Sequence, residues 1–316
     1  MRVNTLTQWR RGTNRWLCGV MMLLICGCSL RQTAVNAIGD ALVDGGSVYA
    51  SENDPELIRE ALPFGLKTFE SLLEVSPRHQ GLLLATAQGF AAYAFFLQME
   101  ADRLDSTNPD RSRELRGRIR NLYLRSREYS LRGLEIRHPG FTQQLHQDRT
   151  LSLRTMTKDD APFLYWAGAS LAGAISTATN DLALLVDLPL AGALVQRVLE
   201  IDEQFDHGTA HEFFISYEAS RPGGSMQRAR EHYRRALAIS GGQRASVYLA
   251  LAEAVAVKAQ NPSEFRALLS AALSVDPEQN PQLRLVNTLA RQRALWLQSR
   301  IDHLFLDVET RKENPG

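Results

Sequence analysis

Cysteine is absent from residues 29–316 of this 316-residue chain. Its three cysteines, Cys18, Cys26 and Cys28, all lie within the first 28 residues. The rest of the chain can therefore form no internal disulfide, and packing alone must stabilise its fold.

Acidic residues are absent from the first 39 positions. The arginines before the first apolar run are Arg2, Arg10, Arg11 and Arg15. The run itself, residues 16–25, has no charged residue and is about half of the ~20 residues that span a bilayer. A basic segment followed by a short apolar run predicts an export signal rather than a membrane helix.

The sequence Ile25-Cys26-Gly27-Cys28 resembles the lipobox of bacterial lipoproteins. We predict a signal peptide at residues 1–27, lipid on Cys28, and a lipidated N-terminus and tether over residues 28–50. The alternative is an ordinary cleaved secretory peptide with a chance cysteine. Ser29, in place of aspartate, favours the outer over the inner membrane for this periplasmic protein, although the sorting rule differs between bacteria and both membranes remain candidates.

Excess basic charge is also missing. The predicted cleavage removes four arginines and no acid, which turns the formal net charge from +1 to −3. That balance, together with export, argues against nucleic-acid binding. With 44% apolar residues, the mature chain has a globular composition, and we predict one all-α domain over residues 51–316.

Alternating β-branched strands are not found, whereas helix-favouring residues are abundant. Asp54 followed by Pro55 is typical of an N-cap and first helical residue, and it predicts a helix that runs to about Val75. Pro63 is expected to kink or split that helix.

One helix ending recurs five times, at residues 72–77, 133–139, 198–202, 236–240 and 272–277. Leu199, Leu237 and Leu273 are 38 and 36 residues apart, close to the ~34 of a tetratricopeptide (TPR) repeat. Ala229, Tyr233 and Ala236 have the spacing of a TPR second helix. The pattern predicts degenerate TPR-like repeats, and an irregular helical bundle is the alternative.

Catalytic and metal motifs are missing. No histidine follows His211-Glu212 at the position that a zinc site requires. The glycine after Ser170 stands one place too late for a nucleophile elbow. We therefore expect no metal, no cofactor and no enzyme activity.

Two segments have unusual compositions. Residues 103–137 contain ten arginines, with Leu115, Ile119, Leu122 and Tyr129 on one stripe, which predicts a solvated amphipathic helix. Residues 161–180 are uncharged but rich in small polar residues. We expect that segment to be a buried central helix rather than a membrane span.

The chain resembles the T component of TRAP transporters, the TatT family of TPR-containing lipoproteins. The resemblance covers nearly all of the mature chain, through residues 53–67, 89–94, 163–168, 211–214 and 229–237. It implies a periplasmic homotrimer with a pore or cleft in each protomer. It also implies binding to the transporter's periplasmic substrate-binding protein and to a hydrophobic ligand. A structural or envelope-assembly TPR lipoprotein without a small-molecule ligand is the alternative function.

Aromatic residues among small ones mark candidate walls of that pocket, with His211 and Glu212 as candidate polar groups. The candidates are Phe90, Tyr93, Phe96, Tyr165, Trp166, His211, Glu212, Phe213, Phe214 and Tyr217. A pocket requires several of these rings to face one cavity, whereas plain core residues would be in close contact with each other.

Overall fold

The computed structural model describes residues 31–178 and 181–306. Within these ranges the chain folds into helices and contains no strand, which confirms the predicted all-α class. The predicted signal peptide and the predicted lipid site, Cys28, lie outside the described residues.

Residues 31–44 are helical, followed by a short helix at Gly46–Ala50 and three long helices. These are α1 (Pro55–Val75), α2 (Gln80–Leu104) and α3 (Pro109–Arg137). The N-terminal helix packs at the corner between α1 and α2, where the Ser76 hydroxyl donates to Asn36 Oδ1 at 2.5 Å.

The start of α1 is as predicted, because the Asp54 carboxylate accepts hydrogen bonds from the amides of Glu56 and Leu57. The predicted split at Pro63 is wrong, since α1 continues through this residue. Pro63 lies on the exposed side of the helix, where water can solvate the carbonyl that loses its amide partner.

Short helices at Phe141–Gln147 and Arg149–Arg154 and a 3-10 turn at Lys158–Asp160 lead to α4 (Ala161–Thr177). A short helix at Leu182–Leu185 precedes α5 (Leu188–Ile201). Leu164, Ala167 and Leu171 of α4 are fully buried in the largest hydrophobic cluster. The uncharged segment thus contributes a central core helix, as predicted.

The C-terminal half consists of α6 (Phe205–Ser220), α7 (Met226–Ser240), α8 (Ala245–Leu251), α9 (Pro262–Ser274) and α10 (Arg284–Ser299). A π turn at Ala252–Ala256 extends α8. Two 3-10 turns, at Pro277–Gln279 and Pro281–Leu283, precede α10. A short helix at Ile301–Leu304 follows α10. These helices share a second core around Phe265 and Leu269.

Successive helices pack as hairpins, α2 with α3, α4 with α5, α6 with α7, and α8 with α9. The recurring sequence motif ends the second helix of each hairpin and also ends α1. The motif therefore does mark helix ends. Whether the hairpins are TPR repeats stays a prediction.

A partly buried arginine joins the two halves. Arg293 of α10 donates from Nη1 to Asp102 of α2 at 2.7 Å and from Nη2 to Glu253 of the π turn at 2.6 Å. Helices α2 and α10, far apart in the sequence, are thus held together by charge-assisted hydrogen bonds.

The arginine-rich helix α3 is amphipathic, as predicted, because Leu115, Ile119 and Leu122 are buried against α2.

Two other stretches, Gln80–Leu104 and Leu182–Ile201, are long and apolar enough to cross a membrane by length and composition alone. More than half of the window in Gln80–Leu104 is buried inside the protein, which is typical of a core helix.

Candidate ligand groove between helices α4 and α6

A strained turn sets the start of α6. Asp206, His207 and Gly208 all have positive φ, at 42°, 57° and 83°, so regular helix begins only at Thr209. Positive φ is costly for the two non-glycine residues and persists where surrounding contacts hold it. The contact that holds it here is Arg244, whose guanidinium donates to both the carbonyl and the carboxylate of Asp206.

Helices α4 and α6 diverge and leave a groove of about 580 Å³ between them. From α4 it is lined by Tyr165, Ala169, Ala172, Gly173, Ile175 and Ser176. From α6 it is lined by Glu212, Phe213, Ser216, Tyr217 and Ser220. Leu185, Leu188 and Ala250 complete it. The volume falls within the ~300–1,000 Å³ of typical small-molecule sites.

Small residues on α4 create this groove. On one face of α4, Gly168 lies so close to α5 that a methyl group there would collide with Val195 and with the Ala191 carbonyl. On the face toward α6, Ala169 and Ala172 are only partly buried. The α4 helix therefore packs tightly against α5 and leaves space on the side of α6.

One end of the groove carries a buried charged cluster. Arg244 Nε donates to Glu212 Oε2 at 2.7 Å, and Arg244 Nη2 donates to Thr209 Oγ1 at 3.3 Å. The Thr209 hydroxyl also bonds the Tyr165 hydroxyl at 2.9 Å. Burial of Tyr165 raises the pKa of its phenol, so this hydroxyl stays neutral. The cluster fixes the Tyr165 and Glu212 side chains that line the groove.

His211 does not line the groove. Its imidazole lies on another face of α6, where Nε2 is 3.1 Å from Glu203 Oε1 and Nδ1 is 2.8 Å from His232 Nδ1. Desolvation lowers the pKa of His211 and lowers that of His232 to about 4, so both rings are neutral at pH 7.

The remaining sequence candidates lie in the core. Phe90 stacks on Tyr129 at 5.8 Å, and Phe214 stacks on His232 at 4.9 Å. Trp166 packs edge-on against Tyr165 at 5.2 Å, on the side of α2 and α3. Phe96 is buried between α1, α2 and α10, and the Tyr93 hydroxyl accepts a hydrogen bond from Arg118.

The structure thus brings four of the predicted residues to one groove: Tyr165, Glu212, Phe213 and Tyr217. Sequence reasoning missed the other wall residues and the positioning residue Arg244. A usable signal was the spacing of Glu212, Ser216 and Ser220, since residues four apart share one helix face. Nothing in the sequence around Arg244 marks it, because its partners are 32 to 38 residues away.

A smaller cavity of about 190 Å³ lies beside the N-terminal helix. Its walls are almost entirely apolar, with Leu42 and Val43 on one side and Leu62, Leu66 and Leu84 among the residues on the other. It contains none of the predicted site residues, and its volume is below the usual range for a ligand site.

Within the described residues, no group of three or more histidine, cysteine or acidic side chains is arranged to hold a metal ion.

Comparison with known proteins identifies one family. The family model of the TRAP transporter T-component matches residues 51–305. An uncharacterized protein of Treponema pallidum (strain Nichols) is 28% identical, with the alignment covering 90% of this chain and 95% of that protein.

Proposed function

The chain belongs to the TRAP transporter T-component family, and from that premise we propose that it is a lipid-anchored periplasmic subunit which binds the transporter's substrate-binding protein and an apolar ligand. Membership associates the chain with a TRAP transporter, and the family is a transporter component rather than an enzyme family. The partner, the ligand, the anchor and a homotrimeric assembly are the finer parts of the proposal.

The observation that carries the ligand part is the α4–α6 groove. Three aromatic rings, Tyr165, Phe213 and Tyr217, share its wall with small and aliphatic side chains. A mostly apolar concave site with a few polar groups is the usual form of a small-molecule site. Phe213 and Tyr217 stack on each other at 5.5 Å, which gives one side of the groove a continuous aromatic surface.

The anchor part rests on the N-terminal sequence. Cys28 stands three residues before the helical residues 31–44, so a lipid there would hold the start of this helix within about 10 Å of a membrane surface. A domain held at a membrane in this way is close to the membrane subunits of a transporter.

The groove is tested by filling it. Ala172→Trp places a large ring between α4 and α6, whereas Ala61→Trp adds the same ring to an exposed position of α1. We expect the mature protein and the Ala61→Trp variant to bind decanol in isothermal titration, and the Ala172→Trp variant to lose that binding. Equal binding by both variants would place decanol elsewhere and refute a ligand site in this groove.

The partner is tested with the periplasmic substrate-binding protein of a TRAP transporter from the same organism. Purified mature protein should bind this substrate-binding protein with a micromolar Kd, which corresponds to about −8 kcal/mol of binding free energy. Sedimentation of the mature protein should give three protomers per particle. Without partner binding and without decanol binding, the structural or envelope-assembly lipoprotein becomes the better assignment.

A further inference from the structure

Among the described residues that line the α4–α6 groove, Glu212 is the only one with an acidic or basic side chain. Its Oε2 atom accepts the hydrogen bond from Arg244 Nε. Its Oε1 atom accepts none from any of the described residues, and the side chain is 19% exposed. One carboxylate oxygen is therefore available to a molecule in the groove.

Arg244 pairs with a second carboxylate as well as with Glu212. Its guanidinium is shared with Asp206, whose Oδ2 lies 3.4 Å from Nη1. Two carboxylates thus face one guanidinium, so the cluster has one more negative than positive formal charge. Arg244 itself is buried behind Glu212 and does not line the groove.

The cations near Tyr217, Arg221 and Arg149, do not line the groove. Arg221 lies over the Tyr217 ring at 5.6 Å, but both its Nε and its Nη2 donate to the Glu218 carboxylate. Arg228 also pairs with Glu218, but neither arginine lines the groove, so Glu212 is the one formal charge among the described residues of the groove wall.

The neighbouring rings favour the same sign of ligand. Tyr165, Phe213 and Tyr217 line the groove together with Glu212. Aromatic faces attract cations through their quadrupole, and a carboxylate beside them adds a direct charge. A ligand carboxylate would instead meet a like charge in a partly desolvated site, where repulsion is stronger than in water.

From this arrangement we propose that the groove takes an amphipathic ligand with a positively charged amine or ammonium group, which Glu212 binds, and an apolar tail. The inference rests on the proposed ligand site and adds the charge of its ligand. Glu212, Ser216 and Ser220 form a row of polar side chains along α6 that is about 12 Å long, from eight residues at ~1.5 Å each. Ala169, Ala172 and Leu188 provide apolar contacts for the tail.

Three probes with one tail test the charge, namely decylamine, decanol and decanoate, each titrated into the mature protein at pH 7. We expect decylamine to bind at least tenfold more tightly than decanol, and decanoate to bind more weakly than decanol. In Glu212→Gln the amide oxygen can still accept from Arg244, and the preference for decylamine over decanol should fall to less than twofold.

Two further variants separate Glu212 from other acids. Asp206→Asn retains a residue type that tolerates positive φ and leaves Arg244 to Glu212 alone, so the preference for decylamine should fall without disappearing. Glu203→Gln removes an acid that does not line the groove and should leave the preference unchanged.

The outcomes distinguish this inference from the function on which it rests. Equal binding of decylamine and decanol, or tightest binding of decanoate, would overturn the cationic ligand while the apolar groove stands. A preference for decylamine that persists in Glu212→Gln would overturn the role of Glu212. Failure of all three probes to bind would overturn both the inference and the ligand part of the proposed function.

Discussion

His211 and His232 face each other through their Nδ1 atoms, 2.8 Å apart, with Glu203 on the far side of His211. The Glu203 carboxylate can only accept, so His211 must donate from Nε2 and, as a neutral ring, accept at Nδ1. His232 must then donate from Nδ1. A chain of two hydrogen bonds therefore runs from α7 through α6 to Glu203, and it requires a neutral His211 ring, since only a neutral ring can accept at Nδ1.

The first prediction is that the protein loses stability as pH falls from about 6.5 toward about 4. Both histidine pKa values are lowered in the folded state, that of His232 to about 4, mainly by desolvation. In this window the unfolded chain binds more protons than the folded one, so the free energy of unfolding falls with pH. Each proton of difference contributes at most ~1.4 kcal/mol per pH unit. Urea unfolding between about pH 7.5 and about pH 4.5 measures this slope.

Matched variants identify the groups responsible. His232→Gln should flatten the slope above about pH 4.5, whereas the exposed His146→Gln should leave it unchanged. Glu203 also has a lowered pKa, chiefly through the hydrogen bond from Arg235. Its effect on the free energy of unfolding, however, falls mainly below its unfolded pKa of ~4.3, outside this pH window. An unchanged slope in His232→Gln would refute the assignment to the histidine pair.

The second prediction concerns Arg244. Its replacement by methionine leaves Glu212, Asp206 and Thr209 without their shared donor, and the turn at positive φ loses its support. We expect a loss of about 3 kcal/mol in the free energy of unfolding, as for other buried ion pairs broken on one side. Arg113→Met removes an exposed pair with Asp110 and should cost less than ~1 kcal/mol. Similar losses in both variants would mean that the buried cluster has no special role in stability.

Local sequence signals predict helix boundaries in this protein well. Asp54 and Pro55 determine the start of α1 through contacts within four residues, so no knowledge of the tertiary fold is required. The recurring motif likewise ends helices that later pack as hairpins. Pro63 shows the limit of such rules, because the cost of an internal proline depends on whether its side of the helix is exposed.

The groove was only partly predictable for a different reason. Tyr165, Phe213 and Phe90 are all aromatic residues near small residues in the sequence. Of these three, only Tyr165 and Phe213 line the groove. What separates them is the space that remains between α4 and α6, while α4 packs closely against α5 at Gly168. That packing is a property of the assembled helices and has no local sequence signal.

The third prediction is that Cys28→Ala abolishes acyl labelling and releases the protein from membranes. Its motivation is the basic N-terminal segment, the short apolar run and the lipobox at residues 25–28. Labelling with a tagged fatty acid, followed by membrane fractionation, measures both effects. Cys18→Ala, which changes the apolar run only slightly, is the control and should retain label. Continued membrane retention of Cys28→Ala without label would show that another element anchors the chain.

The fourth prediction compares one substitution at two positions of α3. Gly133 lies against the Phe163 ring of α4, and a methyl group at Gly133 would overlap three atoms of that ring. Phe163 is only 4% exposed, so its ring cannot move into solvent. Gly133→Ala should therefore destabilise the protein by about 1–3 kcal/mol, the usual cost of overpacking a core.

Gly117 supplies the matched control, because it lies in the same helix with open space around its Cα. Gly117→Ala should stabilise the protein by about 0.5–1 kcal/mol, since alanine restricts the unfolded chain and favours helix. The gain in helix propensity is the same in both variants, so the difference between them isolates the contact between α3 and α4. Urea midpoints that move in opposite directions with an unchanged m-value would establish that contact. Stabilisation by Gly133→Ala would mean that α3 and α4 do not touch at Gly133 and Phe163, and it would contradict the central position of α4 in the core.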